Sequence, residues 1–183
     1  AALMSLHVAL IPSEAWESFI RGQLLAQGGT PLPMPDRVMD WMSILRVVGA
    51  ALSTSIVIPI GAGVLTGIFA FVLGDAGGYR QYLAVTAHSF FIPALVGLFI
   101  MPLKIATQDP QLTLNLGSFF FFLPSGYWLS VLTAMDLTQI WSSLVIAQGA
   151  HCIDRRRSFM SAAVILLSLM FAMALIIGRF MPS

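Results

Sequence analysis

Residues 47–73 read VVGAALSTSIVIPIGAGVLTGIFAFVL and contain no charged side chain. A helix needs about 20 apolar residues to cross the hydrocarbon core of a bilayer, so this stretch is long enough to span a membrane. The composition agrees, because 58% of the chain is hydrophobic and only 9% is charged, whereas soluble domains carry roughly 25% charged residues. The sequence therefore predicts an integral membrane protein.

Two further stretches have the same character. Residues 81–103 contain no Asp, Glu, Lys or Arg and a single histidine, His88, and residues 158–178 contain no charged residue. Residues 1–12 are apolar as well, but they are shorter than the roughly 20 residues of a full crossing. We expect transmembrane helices at 81–103 and 158–178, and we interpret 1–12 as the end of a truncated first span.

The fourth long stretch, residues 117–149, is interrupted only by Asp136. At about 1.5 Å of rise per residue it is too long for one straight crossing. Pro124 and Gly126 favour a break, because proline cannot continue the helical hydrogen bonds and glycine tolerates a turn. We therefore predict a short re-entrant or interfacial helix at 116–123 and a span at 125–150. The predicted fold is all-α, a polytopic transmembrane helix bundle of four full spans, or five in the intact protein.

Residues 13–43 are the most polar part of the chain and predict a helical connector, which divides the protein into 1–12, this connector and a helix bundle at 44–183. Ser13 is suited to cap a helix whose first turn carries Glu14. Gly28 and the glycine after it are suited to end that helix.

Orientation is predicted from basic residues in the short loops. Arg80 lies between the first two full spans, and Arg155, Arg156 and Arg157 lie between the last two. The positive-inside rule makes loops 74–80 and 151–158 cytoplasmic. The connector and the C-terminus are then extracytoplasmic. The arginine triplet predicts either a site for anionic lipid headgroups, at about 1 kcal/mol per charge, or a topology signal alone.

The carboxylate of Asp136 is the most unusual feature of the predicted fourth span. A charge at a helix centre costs roughly 2.5–3.5 kcal/mol on insertion scales, so we expect Asp136 to face other helices. Ser55 lies at the same predicted depth, and its carbonyl loses a hydrogen bond because Pro59 has no N–H to donate. We predict an intramembrane polar cluster that fastens these two helices together. Its members are Asp136, Ser55, Thr54 and Gln139.

A second polar site is predicted from His88 and Ser143, which fall at similar depth in neighbouring spans. Pro93 frees the carbonyl of Ser89 and favours a kink in the helix that carries His88. We interpret His88 as a polar core residue with a satisfied hydrogen bond, and part of a proton path is the alternative.

Small residues favour close packing between membrane helices. Gly63 and Gly67 form a GxxxG motif, which predicts packing within the chain or between chains without choosing between them. The full set of residues predicted to pack or kink helices is Pro59, Gly63, Gly67, Pro93 and Trp141.

Several function classes are disfavoured. The net charge of +1 argues against a nucleic acid partner, because phosphate binding needs clustered Lys and Arg. The single cysteine, Cys152, excludes an internal disulfide framework and a cysteine metal cage. No metalloprotease, P-loop or nucleophile-elbow motif is present. We therefore expect no catalytic residues, no metal and no cofactor.

Short motifs nevertheless resemble a known family. They are Gly77-Gly78 with Tyr82, Pro93, Leu114-Asn115-Leu116-Gly117, and Asp136-Leu-Thr-Gln-Ile-Trp141. Together they are similar to the Yip family, membrane proteins named for interaction with Ypt/Rab GTPases, in its bacterial branch. The resemblance covers residues 36–180 and implies five helices, a bacterial inner membrane location and an architectural role for Asp136, Trp141 and the glycine turn. Some bacterial members are encoded near ABC-type exporters.

Two functions follow from these observations as hypotheses. The first is a non-enzymatic membrane scaffold or accessory protein that binds another integral membrane protein or a second copy of itself, with the lipid bilayer as its other partner. The second is a small transporter or permease subunit in which Asp136 is the coupling carboxylate and His88 or Gln139 lies along the path. A membrane enzyme ranks third.

Overall fold

A computed structural model describes residues 2–29, 36–120 and 122–180. Within these ranges the regular elements are helices, which confirms the predicted all-α class. The α-helices are α1 (Ala2–Ala9), α2 (Ser13–Ala26), α3 (Asp36–Thr66), α4 (Tyr79–Ser89), α5 (Phe91–Phe99), α6 (Met101–Thr107), α7 (Tyr127–Ala134), α8 (Leu137–Ile153) and α9 (Phe159–Phe180). A π-helical segment, Gly67–Val72, continues α3, and a 3₁₀ helix, Leu116–Phe119, precedes α7.

Three helical stretches of the described chain are long and apolar enough to cross a membrane, namely Asp40–Val72, Tyr79–Phe99 and Phe159–Phe180. They correspond to three of the four predicted full spans, and their length and composition are consistent with an integral membrane protein. The predicted connector 13–43 and the predicted helix 116–123 are described only in part, because residues 30–35 and 121 lie outside the described ranges.

The fourth predicted span differs from the structure. Instead of one helix over 125–150, the chain forms α7 and then α8, with a break at Met135 and Asp136. The physical reason is that Asp136 is a capping residue here: its extended backbone, with φ −75° and ψ 131°, starts a new helix, as is typical of an N-cap. The predicted 116–123 helix shortens to the 3₁₀ helix, and its re-entrant placement stays a prediction.

The chain divides into two compact units, and the first comprises Ala1–Val57 and Ala94–Leu112. Its core is small, with Ile11, Ala15 and Met101 buried and Trp16 packed against them. Helix α2 begins with Pro12 at the N-cap position, so the cap predicted at Ser13 is one residue too late.

The end of α2 follows from its two glycines. Gly28 has a φ of +77°, a conformation that glycine adopts without strain. The N–H of Gly29 donates to the carbonyl of Leu24 at 2.8 Å, and the N–H of Gly28 donates to that of Leu25 at 3.0 Å. This pair of bonds is a Schellman motif, which satisfies carbonyls that the helix end leaves free.

The second unit comprises Ile58–Pro93 and Thr113–Ser183. Its core lies where α4, α8 and α9 meet the end of α3, and small side chains dominate it. The fully or nearly buried core residues are Leu65, Phe69, Tyr82, Ala147, Ala150, Ala162, Ala163 and Leu166. Alanines at these positions let helices approach closely, which is how membrane helices gain packing energy. The rings of Phe69 and Tyr82 stack at 5.8 Å between centroids.

Candidate functional site

The break between α7 and α8 is built around Asp136. One oxygen of its carboxylate, Oδ1, accepts the backbone N–H of Thr138 at 2.6 Å and the Thr138 hydroxyl at 2.6 Å. The carboxylate therefore satisfies a donor that the first turn of α8 leaves unpaired. A negative charge at this position also interacts favourably with the positive end of the helix. Asp136 stabilises the start of α8.

The loop before the 3₁₀ helix completes the break. The N–H of Leu116 donates to the carbonyl of Met135 at 2.9 Å, and the N–H of Leu137 donates to the carbonyl of Leu114 at 2.8 Å. These two bonds form an isolated antiparallel bridge between Asn115 and Asp136. The loop thus pairs with backbone groups that the break takes out of the helix, which a membrane protein must satisfy internally.

Asn115 fixes the conformation of this loop. Its Oδ1 accepts the N–H of Ser118 at 3.0 Å and the Ser118 hydroxyl at 3.2 Å, and its amide donates to the hydroxyl of Thr113 at 3.2 Å. Gly117 follows, and a Cβ there would collide with Thr133 of α7. Glycine is required because the loop lies directly against the helix.

The two motifs around Asn115 and Asp136 are therefore neighbours in space. Both were identified in the sequence as carriers of the family resemblance, but their contact was not predicted. In the structure, the Leu114–Gly117 segment forms backbone hydrogen bonds with Met135 and Leu137, at the start of the Asp136–Trp141 motif. We define this arrangement, residues 113–118 with 133–138, as the helix-break site.

The other predicted members of the Asp136 cluster lie elsewhere. Thr54 and Ser55 donate their hydroxyls to carbonyls of their own helix, Ala50 at 2.7 Å and Ala51 at 2.8 Å. Gln139 is exposed on α8. Thr54 and Ser55 belong to the first unit and Asp136 to the second, so a bond between them stays a prediction.

The second predicted polar site is wrong in its residues but right about the free carbonyl. His88 is exposed, and its Nδ1 lies 2.7 Å from the carbonyl of Ala84 on its own helix, so it is no core residue. Ser142, and not Ser143, reaches across from α8 and donates to the carbonyl of Ser89 at 3.1 Å. That carbonyl is available because Pro93 has no N–H. The structure interrupts the helix at Phe90, between α4 and α5.

The residues predicted to pack or kink helices have different surroundings. Pro59 lies inside α3, and its carbonyl accepts the Tyr79 hydroxyl at 3.3 Å. Trp141 is 57% exposed, so it does not pack within the described chain as expected. A Cβ built at Gly63 or Gly67 meets no atom within 4 Å. The described chain therefore leaves the GxxxG motif without a packing partner.

The loops 74–80 and 151–158 are joined by an ion pair. Arg157 donates from Nη2 to Asp75 Oδ1 at 2.7 Å and from Nε to Asp75 Oδ2 at 3.0 Å, and the Asp75 side chain is only 5% exposed. This paired geometry is the strong form of an arginine–carboxylate interaction. The hydrogen bond to Asp75 raises the pKa of Arg157. Asp75 occupies two donors of the Arg157 guanidinium, and a headgroup role for Arg157 stays a prediction.

Asp154 holds the same two loops together. Its Oδ2 accepts the N–H of Ala76 at 2.9 Å and its Oδ1 accepts the N–H of Arg156 at 2.9 Å. These backbone donors lower the pKa of Asp154 below its usual value, since they stabilise the ionised form. Arg155 and Arg156 keep exposed side chains, so a headgroup role for them stays a prediction.

Gly77 completes this junction. A Cβ at Gly77 would lie 2.6 Å from Tyr82 and 2.7 Å from Ile153. The predicted architectural role of the glycine turn therefore has a physical basis.

Asp75, Asp154 and Ser142 were missed by sequence reasoning. The sequence did contain a signal for Asp75 and Asp154, because both lie in loops that are predicted to share one side of the membrane with the arginine triplet, so ion pairs between these groups could have been expected.

The described ranges contain no group of three or more His, Cys, Asp or Glu side chains placed to hold a metal ion.

Compared with models of protein families, with curated proteins and with solved structures, the chain gave no match in any of the three. The resemblance to the Yip family consequently stays a proposal.

Proposed function

We propose that the protein is a non-enzymatic membrane scaffold or accessory subunit of the Yip type, which binds another integral membrane protein or a second copy of itself. An exporter complex and a trafficking assembly are the settings that the resemblance implies. The observation that supports this proposal most directly is the packing of the second half of α3.

The second half of α3 and the π-helical segment that continues it have two different faces. Leu65 and Phe69 are 7% and 0% exposed and belong to the core of the second unit, and Ala62 is also fully buried. Ile60 and Val64, on the other side, are 61% and 52% exposed, and Gly63 lies between them. Glycine beside branched side chains forms a shallow groove into which another helix fits closely. We define Ile60, Gly63, Val64 and Gly67 as the outer α3 face and assign helix docking to it.

The test is a Gly63→Leu substitution. A side chain at Gly63 meets no atom of the chain, so the fold should be unaffected while the approach of a partner helix is blocked. We expect the wild-type protein, purified in native detergent at physiological expression, to bring down a membrane partner or a second copy. We expect Gly63→Leu to reduce the recovered partner about tenfold, which corresponds to a loss of about 1.4 kcal/mol.

Gly22→Leu is the matched control, because Gly22 is also helical and also faces open space. It should leave the recovered partner unchanged by quantitative mass spectrometry. A wild-type protein recovered only as a monomer, or a Gly63→Leu variant that retains its partner, would contradict the proposal.

The second candidate, a small transporter subunit, is supported by the helix break. Broken helices in membrane proteins occur where irregular backbone is buried in protein or lines a water-filled cavity, and transporters place substrate and ion sites there. Asp136, half-buried at the break, is the carboxylate that would couple transport to a cation. The two candidates make different predictions for its substitution.

Asp136→Asn is expected to keep the protein stable, because asparagine is as good an N-cap as aspartate. Asp136→Ala is expected to lower the free energy of unfolding by about 1 kcal/mol, since the Thr138 N–H then loses its acceptor. The free energies of unfolding of the two variants are measured by denaturant-induced unfolding in micelles. If the protein is a scaffold, Asp136→Asn also leaves partner recovery unchanged.

Proton flux into proteoliposomes separates the two candidates. A transporter coupled through Asp136 would lose its flux in Asp136→Asn, while Asp109→Asn, which changes a half-buried carboxylate in the turn after α6, would keep it. Flux that is present in the wild type and lost only in Asp136→Asn would therefore displace the scaffold proposal.

A further inference from the structure

A cavity of about 460 Å³ opens in the first unit beside the start of α3. Residues at the turn between α1 and α2 form one wall, and α3 forms the other. The lining is mixed: Asp40, Arg46 and Ser13 contribute polar groups, and Val47 and Val48 contribute apolar ones. This cavity has no role in the proposed scaffold function.

Arg46 is the central group of this cavity. Its guanidinium carbon lies 5.0 Å from the centroid of the Trp16 ring, a distance typical of a cation–π interaction. Its Nη1 is buried and has no hydrogen-bond partner among the described residues. A buried donor without an acceptor is unfavourable, and more so when it is charged. The rest of the Arg46 side chain is half-buried and lines the cavity, so the cavity presents a positioned cation to an anion from outside the chain.

The start of α2 adds a second positive element. Pro12 and Ser13 line the same cavity, and α2 begins there without a side-chain cap hydrogen bond. The first turn of a helix carries unpaired N–H groups and the positive end of the helix dipole, which together favour a bound anion. Glu14 in the first turn of α2 offsets part of this positive end, so Arg46 is the main group that selects negative charge and the helix start adds N–H donors.

The depth of Arg46 indicates which anion is within reach. Asp40 begins the candidate span Asp40–Val72, and Arg46 lies six residues further on, about 9 Å deeper along the helix axis. The headgroup layer on each side of a bilayer is roughly 5–8 Å thick. Arg46 is thus level with the boundary between headgroups and acyl chains, where lipid phosphates lie. Val47 and Val48, on the same wall, suit the start of an acyl chain.

Asp40 selects among phospholipids. It is exposed and lines the cavity on the side that leads away from the span. A carboxylate there would repel a purely anionic headgroup, but it would attract a headgroup that carries a cation beyond its phosphate. A primary ammonium can also donate hydrogen bonds to a carboxylate, whereas a quaternary ammonium cannot.

We propose that this cavity binds one phospholipid with a primary-amine headgroup, its phosphate at Arg46 and its ammonium at Asp40. Trp16 holds the guanidinium in place, and the start of α2 supplies further N–H donors to the phosphate.

Native mass spectrometry of the full chain in detergent tests the proposal, with phosphatidylethanolamine, phosphatidylcholine and phosphatidylglycerol of matched acyl chains as probes. We expect phosphatidylethanolamine to bind about tenfold more tightly than the other two, since only its headgroup both carries a cation and donates a charged hydrogen bond to Asp40. Arg46→Gln should weaken its binding about tenfold. Asp40→Asn should remove the preference over phosphatidylcholine and leave the phosphate contact.

Arg21→Gln is the matched control, because Arg21 is exposed and already paired with Glu17 at 2.9 Å; it should leave lipid binding unchanged. Should Arg46→Gln fail to fold, Arg46→Lys keeps the charge but loses the planar stack on Trp16, and we expect about threefold weaker binding. Equal binding of the three lipids, or wild-type binding by every folded Arg46 variant, overturns the proposal. Binding of inorganic phosphate that requires Arg46 and displaces the lipid would assign the site to free phosphate and overturn the lipid assignment.

Discussion

Arg157→Ala is expected to lower the free energy of unfolding by about 3 kcal/mol, because removing one partner of a buried ion pair leaves the other charge uncompensated. The charge left behind is that of Asp75, whose side chain is only 5% exposed. Arg157 also donates weakly to the Leu73 carbonyl at 3.5 Å and to the Ser161 hydroxyl at 3.4 Å. The change should be visible as an earlier midpoint of detergent-induced unfolding.

The chain supplies matched controls for this experiment. Arg155 and Arg156 are adjacent to Arg157 but have exposed side chains, and exposed substitutions are usually within about 0.5 kcal/mol of neutral. Arg157→Lys should lower the free energy of unfolding by less than Arg157→Ala and by more than the exposed substitutions, since lysine keeps the charge but not the two parallel hydrogen bonds. If Arg155→Ala, Arg156→Ala and Arg157→Ala unfolded at the same midpoint, the ion pair would have no structural role.

Gly149→Leu is expected to destabilise the protein by about 3 kcal/mol, the upper part of the usual range for overpacking. A Cβ at Gly149 would already lie 2.6 Å from a methyl carbon of Val85 and 3.1 Å from its Cβ. Valine has little freedom to move away, because its branched side chain is restricted to few rotamers. The substitution should therefore force α8 away from α4 and weaken the Ser142–Ser89 bond between them.

A double substitution isolates the clash. Gly149→Ala in the Val85→Ala background should cost less than Gly149→Ala alone, and the difference measures the coupling between the two positions. Gly22→Leu is the control for leucine in a helix, since its side chain meets open space and is no part of the outer α3 face, and it should not lower stability. Equal losses for Gly149→Leu and Gly22→Leu would show that α4 and α8 do not pack as described.

Some of the fold could be predicted because it depends on local chemistry. The charge-free stretch at 47–73 predicts a helix by length alone, and the structure has α3 and its π-helical continuation there. Gly28 and Gly29 end α2 as expected, since a positive φ favours glycine in any context. Pro93 frees the Ser89 carbonyl as expected, since proline lacks an N–H wherever it occurs.

The helix-break site could not be predicted in the same way. The sequence predicts Asp136 within a continuous helix, because hydrophobic length gives no information on where a helix restarts. The break is stable only because the loop at Leu114–Leu116 pairs with it, and that pairing joins positions about twenty residues apart. Ser143 was predicted to share a polar site with His88, and Ser142 was not predicted to bond the Ser89 carbonyl, since depth alone does not determine which side of a helix faces its neighbour.

The sequence by itself determined that this is an all-helical membrane protein, because apolar length and low charge act on each segment independently of the others. Only the tertiary structure decided the roles of its polar residues. Asp136 caps a helix, Arg157 pairs with Asp75 and Arg46 lies over Trp16. The physical reason is that a polar group in an apolar environment takes the partner that packing brings within hydrogen-bonding distance, and packing brings together residues that are far apart in the chain.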